Sequence, residues 1–221
     1  KMGARIKGHG TEKIEIIGVN ELKGCSYNVM PDRIEAGTFV LCVLGCGGEI
    51  TLTNVNSDIF NHLSDIFMPI KLLMIRQISN EEIFIKKISN NSLNLKITTT
   101  EFPGFPTDLQ AQLTSALLKT KGASEINEKI FENRFMHISE LKRMGANIKL
   151  KGSKLKIIGV EELLGAEVMA TDLRASSSLI IAGLMANGIT TVNRVYHLDR
   201  GYENLEKKLE NCGVIIRRIS S

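Results

Sequence analysis

The chain has no tryptophan, three tyrosines and four prolines among its 221 residues, and aromatics make up only 5% of it. With so few rings to stack on bases, and with 28 basic residues interleaved among 24 acidic ones, the pattern of a nucleic-acid binder is absent. No stretch approaches the roughly 18 uninterrupted apolar residues that span a bilayer, so no membrane partner is expected. The opening Lys1-Met-Gly-Ala-Arg-Ile has neither an apolar core nor a cleavage motif, which makes the cytoplasm the expected location. Cysteines are few. Those at 25, 42, 46 and 212 form no CxxC pair and no His/Cys cluster at zinc spacing. Neither a metal nor a cofactor is therefore expected, and the thiols read as small buried side chains. Disorder is excluded in turn, because the 43% of hydrophobic residues run evenly from end to end.

What the sequence does contain is an internal repeat. Gly3-Ala-Arg-Ile, Lys13-Ile-Glu-Ile-Ile-Gly-Val19 and Glu21-Leu-Lys-Gly24 match Gly145-Ala-Asn-Ile, Leu155-Lys-Ile-Ile-Gly-Val160 and Glu162-Leu-Leu-Gly165. Each copy then reaches an aspartate that opens an apolar run: Pro31-Asp32-Arg33-Ile34, Thr107-Asp108-Leu109-Gln110 and Thr171-Asp172-Leu173-Arg174. Glycines follow at 48, 122 and 188, which is 16, 14 and 16 residues after those aspartates. Every glycine precedes a short β-type segment, and a second helical run follows, at Asp58 to Met68, Glu132 to Met144 and Asp199 to Cys212. The unit is thus hairpin, helix, strand, helix, roughly 70 residues long and present three times. In the middle copy Phe67-Met-Pro-Ile-Lys-Leu-Leu-Met replaces the helix–Gly–Ala junction, so that hairpin reads as the most degenerate. Three copies that cannot each bury their own faces should pack together into one α/β domain.

An aspartate at a helix start is ordinarily a cap, and Asp32, Asp108 and Asp172 all admit that reading. Asp108 differs in its approach, because Phe102-Pro-Gly-Phe-Pro-Thr-Asp restricts the backbone ahead of it. Thr107 could be the cap there, which would leave Asp108 for a ligand. Arg134, Arg174 and Arg200 lie in or beside first turns of expected helices, where a cation faces the positive end of the dipole. Either Asp172, Asp199 and Glu132 neutralise them, or an anion does, held by guanidinium groups and helix N–H groups together. His137 reads as a structural member of an amphipathic helix, and His197 lies closer to the presumed site.

Four motifs in order resemble the UDP-N-acetylglucosamine 1-carboxyvinyltransferases, a branch of the enolpyruvyl transferases. They are Phe105-Pro-Thr-Asp-Leu-Gln-Ala-Gln112, Phe131-Glu-Asn-Arg-Phe-Met-His137, Met169-Ala-Thr-Asp-Leu-Arg-Ala-Ser176 and Tyr196-His-Leu-Asp-Arg-Gly-Tyr-Glu203. The resemblance implies an inside-out α/β barrel of three repeats. It also implies that the chain corresponds to the C-terminal half of a two-domain protein. Residues 1–30 would be closing strands of the other domain and residues 31–221 the three-repeat domain. The missing N-terminal half, in the same or a separate chain, would complete the cleft. Such enzymes open peptidoglycan synthesis by moving the enolpyruvyl group of phosphoenolpyruvate onto the 3-hydroxyl of UDP-N-acetylglucosamine.

By that resemblance Asp108 is the general base, Ile130 a sugar-nucleotide contact, and Arg174 and Arg200 hold phosphoenolpyruvate. Asp32, Arg134 and Asp172 are further candidates. The family's reactive-cysteine loop and its near-N-terminal Lys-Asn pair have no counterpart here, and Thr98-Thr99-Thr100-Glu101 stands where a basic residue is common. The resemblance leaves two alternatives: the sister enolpyruvylshikimate-phosphate synthases, or a non-catalytic remnant or binding module.

Overall fold

Asp32 and Asp172 start their helices as caps do. In the computed structural model, which describes residues 1–9 and 11–219, Asp32 Oδ1 accepts from the backbone N–H groups of Ile34 at 2.7 Å and Glu35 at 3.4 Å. This opens α1 (Arg33–Cys46). Asp172 Oδ1 accepts from Arg174 at 2.7 Å and Ala175 at 2.9 Å, opening α5 (Leu173–Met185). Between them lies α3 (Gln110–Ala116), preceded by a single 3-10 turn over Thr107–Leu109. These helices pack on one another at the centre of the fold and are buried nearly all round. A helix buried on every face is normally apolar throughout. Here α3 contributes Gln110, Gln112, Thr114 and Ser115, and α5 contributes Ser176, Ser177 and Ser178, all buried.

Sheets surround the helices. The middle unit runs β6 (Lys96–Thr98), α3, β7 (Ala123–Asn127), α4 (His137–Arg143) and the hairpin β8 (Asn147–Lys151)–β9 (Lys154–Ile158). Its sheet has the order β6-β7-β9-β8, with β6 and β7 parallel and the rest antiparallel. The last unit keeps the parallel pair, β10 (Glu167–Met169) with β11 (Thr191–Asn193), on either side of α5, and closes with α6 (Leu205–Asn211). In the first, α1 leads to β3 (Glu49–Thr53), α2 (Ser57–Phe67) and the hairpin β4 (Leu73–Ser79)–β5 (Glu82–Lys87), in the order β3-β5-β4. Gly48, Gly122 and Gly188 occupy equivalent junctions with φ of 80°, 108° and 90°, a region open to glycine and strained for other residues. β8 is an edge strand, and across the hairpin Lys149 opposes Lys156 and Lys151 opposes Lys154.

The chain divides into two compact units, Lys1–Met30 and Pro31–Ser221. The first holds one antiparallel hairpin, β1 (Arg5–Lys7) with β2 (Glu15–Ile17), both strands exposed throughout. Among the described residues no helix is long and apolar enough to cross a membrane.

Four expectations are corrected. The three-residue strands β6 and β10 are too short to show periodicity and were not anticipated. The β4–β5 hairpin, which the sequence pattern assigns to the middle copy as the most degenerate, is formed, because buried Ile70 and Leu72 after Pro69 replace the Gly-Ala junction and lead directly into β4. The second helix of the first unit, α2, matches its expected span to within one residue, but the other two are shorter. α4 starts at His137, and a 3-10 stretch Val195–Arg200 precedes α6, separated from it by Gly201 and by Asn204 at φ +49°. Finally, Cys25, Cys46 and Cys212 are exposed, the latter two lying at the ends of α1 and α6, and only Cys42 is partly buried. Burial raises the Cys42 thiol well above the ordinary thiol range.

Candidate functional site

Two restraints place the Asp108 carboxylate. Prolines 103 and 106 fix the approach, and the 3-10 turn moves the chain past the cap position, so α3 begins without a side-chain cap. Thr107 is not the cap that the spacing suggested. Its hydroxyl donates to Glu128 Oε2 at 2.8 Å instead. Asp108 Oδ1, free of backbone duty, accepts from Arg134 Nη1 and from Arg174 Nε, both at 2.9 Å. The three side chains are partly open to solvent, with Asp108 at 33%, Arg174 at 20% and Arg134 at 19% exposure. Burial alone would raise the Asp108 carboxyl. The hydrogen bonds and charges of Arg174 and Arg134 outweigh it and hold the group below the usual carboxylate range. Asp108 is therefore an ionised acceptor at neutral pH. Arg174 keeps its Nη groups for a further anion, since only its Nε is engaged by Asp108.

Glu128, which the motifs did not single out, organises the other wall. Only 2% exposed, it accepts from Thr99 Oγ1 at 2.7 Å and Thr107 Oγ1 at 2.8 Å, and from the backbone N–H groups of Ile130 at 2.8 Å and Phe131 at 3.0 Å. One buried carboxylate thus ties β6's exit, the Asp108 turn and the Ile130-Phe131 bend together. Lys129 N–H donates back to Thr99 Oγ1 at 2.9 Å. Thr99, in the stretch where a basic residue is common in the family, serves this scaffold. The bend leaves Ile130 and Phe131 exposed, and the Arg134 guanidinium lies 4.1 Å from the Phe131 ring centroid. Arg134 also donates to Thr107 Oγ1 at 3.1 Å.

The remaining candidates are placed as follows. Asp32 and Asp172 are caps. Arg174 sits in the first turn of α5 as expected, whereas Arg134 precedes α4 by a short loop. Arg200 ends a 3-10 stretch, is exposed, and has no hydrogen bond or ion pair among the described residues. Of the acids considered as its neutralisers, Asp199 is engaged by Arg218 at 2.7 and 2.9 Å. His137 is buried at the start of α4, and burial lowers it to about 4. His197 meets Arg194 at 3.5 Å and stacks near Tyr196, so its side chain is engaged away from the carboxylate–arginine cluster.

The sequence and the fold both have relatives among known proteins. The family model for EPSP synthase (3-phosphoshikimate 1-carboxyvinyltransferase) matches residues 1–209. The chain belongs to this family, the enolpyruvyl transferases. UDP-N-acetylglucosamine 1-carboxyvinyltransferases of Beijerinckia indica and of Chelativorans are each 51% identical to it, over 220 and 219 residues respectively. Those matches take in 100% and 99% of this chain but 51% of each relative, so the chain spans about half their length. Among solved structures, the enolpyruvyl transferase NikO from Streptomyces tendae superposes with a TM-score of 0.82 at 26% identity, covering 98% of this chain and 51% of that one. An EPSP synthase from Acinetobacter baumannii shares the fold at a TM-score of 0.61 and 17% identity. As an enolpyruvyl transferase chain, the protein has Asp108, Arg134 and Arg174 in one cluster and Arg200 on a neighbouring segment.

Proposed function

We propose that this chain supplies the acceptor-side half of an enolpyruvyl transferase acting on phosphoenolpyruvate and UDP-N-acetylglucosamine, in the cytoplasm and at the entry to peptidoglycan synthesis. The observation that carries the reading is one oxygen, Asp108 Oδ1, shared by Arg134 and Arg174 at 2.9 Å each. A carboxylate that caps nothing, beside guanidinium groups with donors to spare, suits a reaction that takes a proton from a hydroxyl next to an anion. In this reading the sugar 3-hydroxyl loses its proton to Asp108 as its oxygen bonds to C2 of phosphoenolpyruvate, and C3 gains a proton. The ketal then breaks its C2–O bond to phosphate, which leaves, and C3 loses a proton to restore the double bond.

Arg174 and Arg200 hold the carboxylate and phosphate groups. An anion that draws Arg174 away removes part of what holds the Asp108 carboxyl down, so basicity rises when the substrates are in place. Ile130 lines the sugar-nucleotide side, on the bend that Glu128 fixes. Residues 1–30 belong with a second domain, of the kind the other half of the relatives forms. That domain brings the acid, since the side chains bonded to Asp108 among the described residues are both arginines. Identity of about half over the whole chain with UDP-sugar enzymes favours this branch over the shikimate branch.

Phosphate release by the complete protein tests the reading. Release is expected with phosphoenolpyruvate and UDP-N-acetylglucosamine, and not with shikimate 3-phosphate in its place. The opposite selectivity would assign the chain to the sister branch, and no release with either acceptor would leave it a binding module. The 221-residue chain alone is expected to release none. Turnover by it would show that one of its own residues is the acid.

A further inference from the structure

Arg200 is exposed and has no partner among the described residues, yet its neighbours on both sides are fixed. Leu198 and Tyr202 are each 3% exposed, and Gly201 lies against the first residue of α5 so closely that a Cβ there would sit 2.9 Å from Leu173 Cδ2. The polar end of Tyr202 enters the three-helix centre. Its hydroxyl lies 2.8 Å from Thr38 Oγ1 on α1 and 3.2 Å from Gln112 Nε2 on α3. Gln112 Nε2 also donates to the backbone carbonyl of Asp108 at 2.9 Å.

Proton counting gives this chain a direction. The Thr38 hydroxyl donates its one proton to the Ile34 carbonyl at 2.9 Å, so Tyr202 must be the donor to Thr38. The tyrosine oxygen then accepts from Gln112, whose second amide proton goes to Asp108. The Gln112 amide cannot be flipped without setting its oxygen against the Asp108 carbonyl oxygen. The sequence Asp108 C=O, Gln112 amide, Tyr202 hydroxyl, Thr38 hydroxyl, Ile34 C=O is therefore a directed line through all three repeats. Each of the three linking side chains is at most 3% exposed. Every link in the line joins a donor to an acceptor, with Gln112 Nε2 also 3.4 Å from Thr38 Oγ1 and Gln112 Oε1 buried without a partner among the described residues. Linked buried groups of this kind hold one another in one geometry.

We infer that Tyr202 and Gln112 are positioning residues which fix Arg200 relative to Asp108. The inference rests on the transferase reading above, because it is the separation of base and anion-binding arginine that would matter. Tyr202 does not touch the reacting atoms. It acts through Arg200, two residues away, and through Gln112 on the backbone of Asp108.

The experiment uses the complete protein and three measurements: phosphate release at varied phosphoenolpyruvate, the same at varied UDP-N-acetylglucosamine, and thermal melting. Tyr202→Phe keeps the ring and removes the hydroxyl. The expected result is a loss of roughly tenfold to a hundredfold in kcat/KM for phosphoenolpyruvate, a smaller change in KM for the UDP-sugar, and no further loss in an Arg200→Ala background. Thr38→Val, which ends the line on α1 without changing side-chain size, should give the same selective loss if Tyr202→Phe proves unstable. A lower melting temperature with kcat/KM for phosphoenolpyruvate within twofold of wild type would overturn the inference. So would effects that add in full to those of Arg200→Ala, or equal losses for both substrates. A wild-type protein that releases no phosphate would instead remove the transferase reading, and this inference with it.

Discussion

Asp108 and Asp172 stand in the same Thr-Asp-Leu setting, 64 residues apart in consecutive repeats, and do different work. Asp172 spends an oxygen on two backbone N–H groups of α5, and Asp108 spends one on two arginines. The difference comes from one 3-10 turn. At α5 the chain enters the helix directly, so the aspartate is extended and caps, with φ −158° and ψ 178°. At α3 the residues Thr107–Leu109 are already coiled, so the carboxylate faces outward from the turn. Equivalent repeats can thus divide structural and chemical duties by a small change of entry geometry, without a change of residue type.

Substitutions should separate these duties sharply. Asp108→Asn in the complete protein keeps the shape and removes charge and basicity, and phosphate release is expected to fall by about 10²–10⁴-fold, as for loss of a general base. Retained activity there, with activity abolished by Arg200→Ala, would keep the anion site and reject the base. Glu128→Gln removes the charge that four donors share and forces the Thr107 hydroxyl to turn and accept from the new amide, and denaturant melting should show a loss of about 1–3 kcal/mol. Asp172→Ala should lower stability by about 1 kcal/mol, the usual cost of a lost cap.

Asp108 also carries a pH effect. Because its folded carboxyl is held below the ordinary carboxylate range, its ion pairs stabilise the fold above that range, and the stabilisation is lost as pH falls below it and through the lowered folded value. The melting-temperature gap between wild type and Asp108→Asn should therefore close on acidification. His137 gives a separate window. Its folded value of about 4 lies below its ordinary 6.5, so stability is full above pH 6.5 and falls by about 1.4 kcal/mol per pH unit on the way down to about 4. A flat profile across that interval would show that His137 is not buried in the neutral form.

Much of this was legible in the residues. The repeat, the Asp-led helices and the glycine junctions were visible because each depends on local chemistry: a side chain that caps, a backbone angle open to glycine, an apolar period. Arg134 and Arg174 were visible because cations near helix starts break a local rule. Glu128 was not, since a single glutamate after a strand has no spacing signature and only its burial reveals its role. The cap assigned to Thr107 failed because that hydroxyl is claimed by Glu128, a partner 21 residues away. The break inside the last helical run, between the 3-10 stretch and α6, has no sequence signature, because Asn204 adopts a left-handed backbone that no neighbouring residue announces.

The lysines of the β8–β9 hairpin have a consequence of a different order. Like charges set directly across strands weaken a hairpin, and Lys149 with Lys156 and Lys151 with Lys154 accept that loss twice. β8 is also an edge strand of its sheet, as β6 is at the other side. A second copy laid alongside that edge would crowd further ammonium groups onto the same face. Repulsion carried by the molecule's own edge thus opposes chain-to-chain sheet growth at high protein concentration, where unpaired edges otherwise recruit one another. A modest loss of stability within one molecule is coupled to a resistance against edge-to-edge pairing among many.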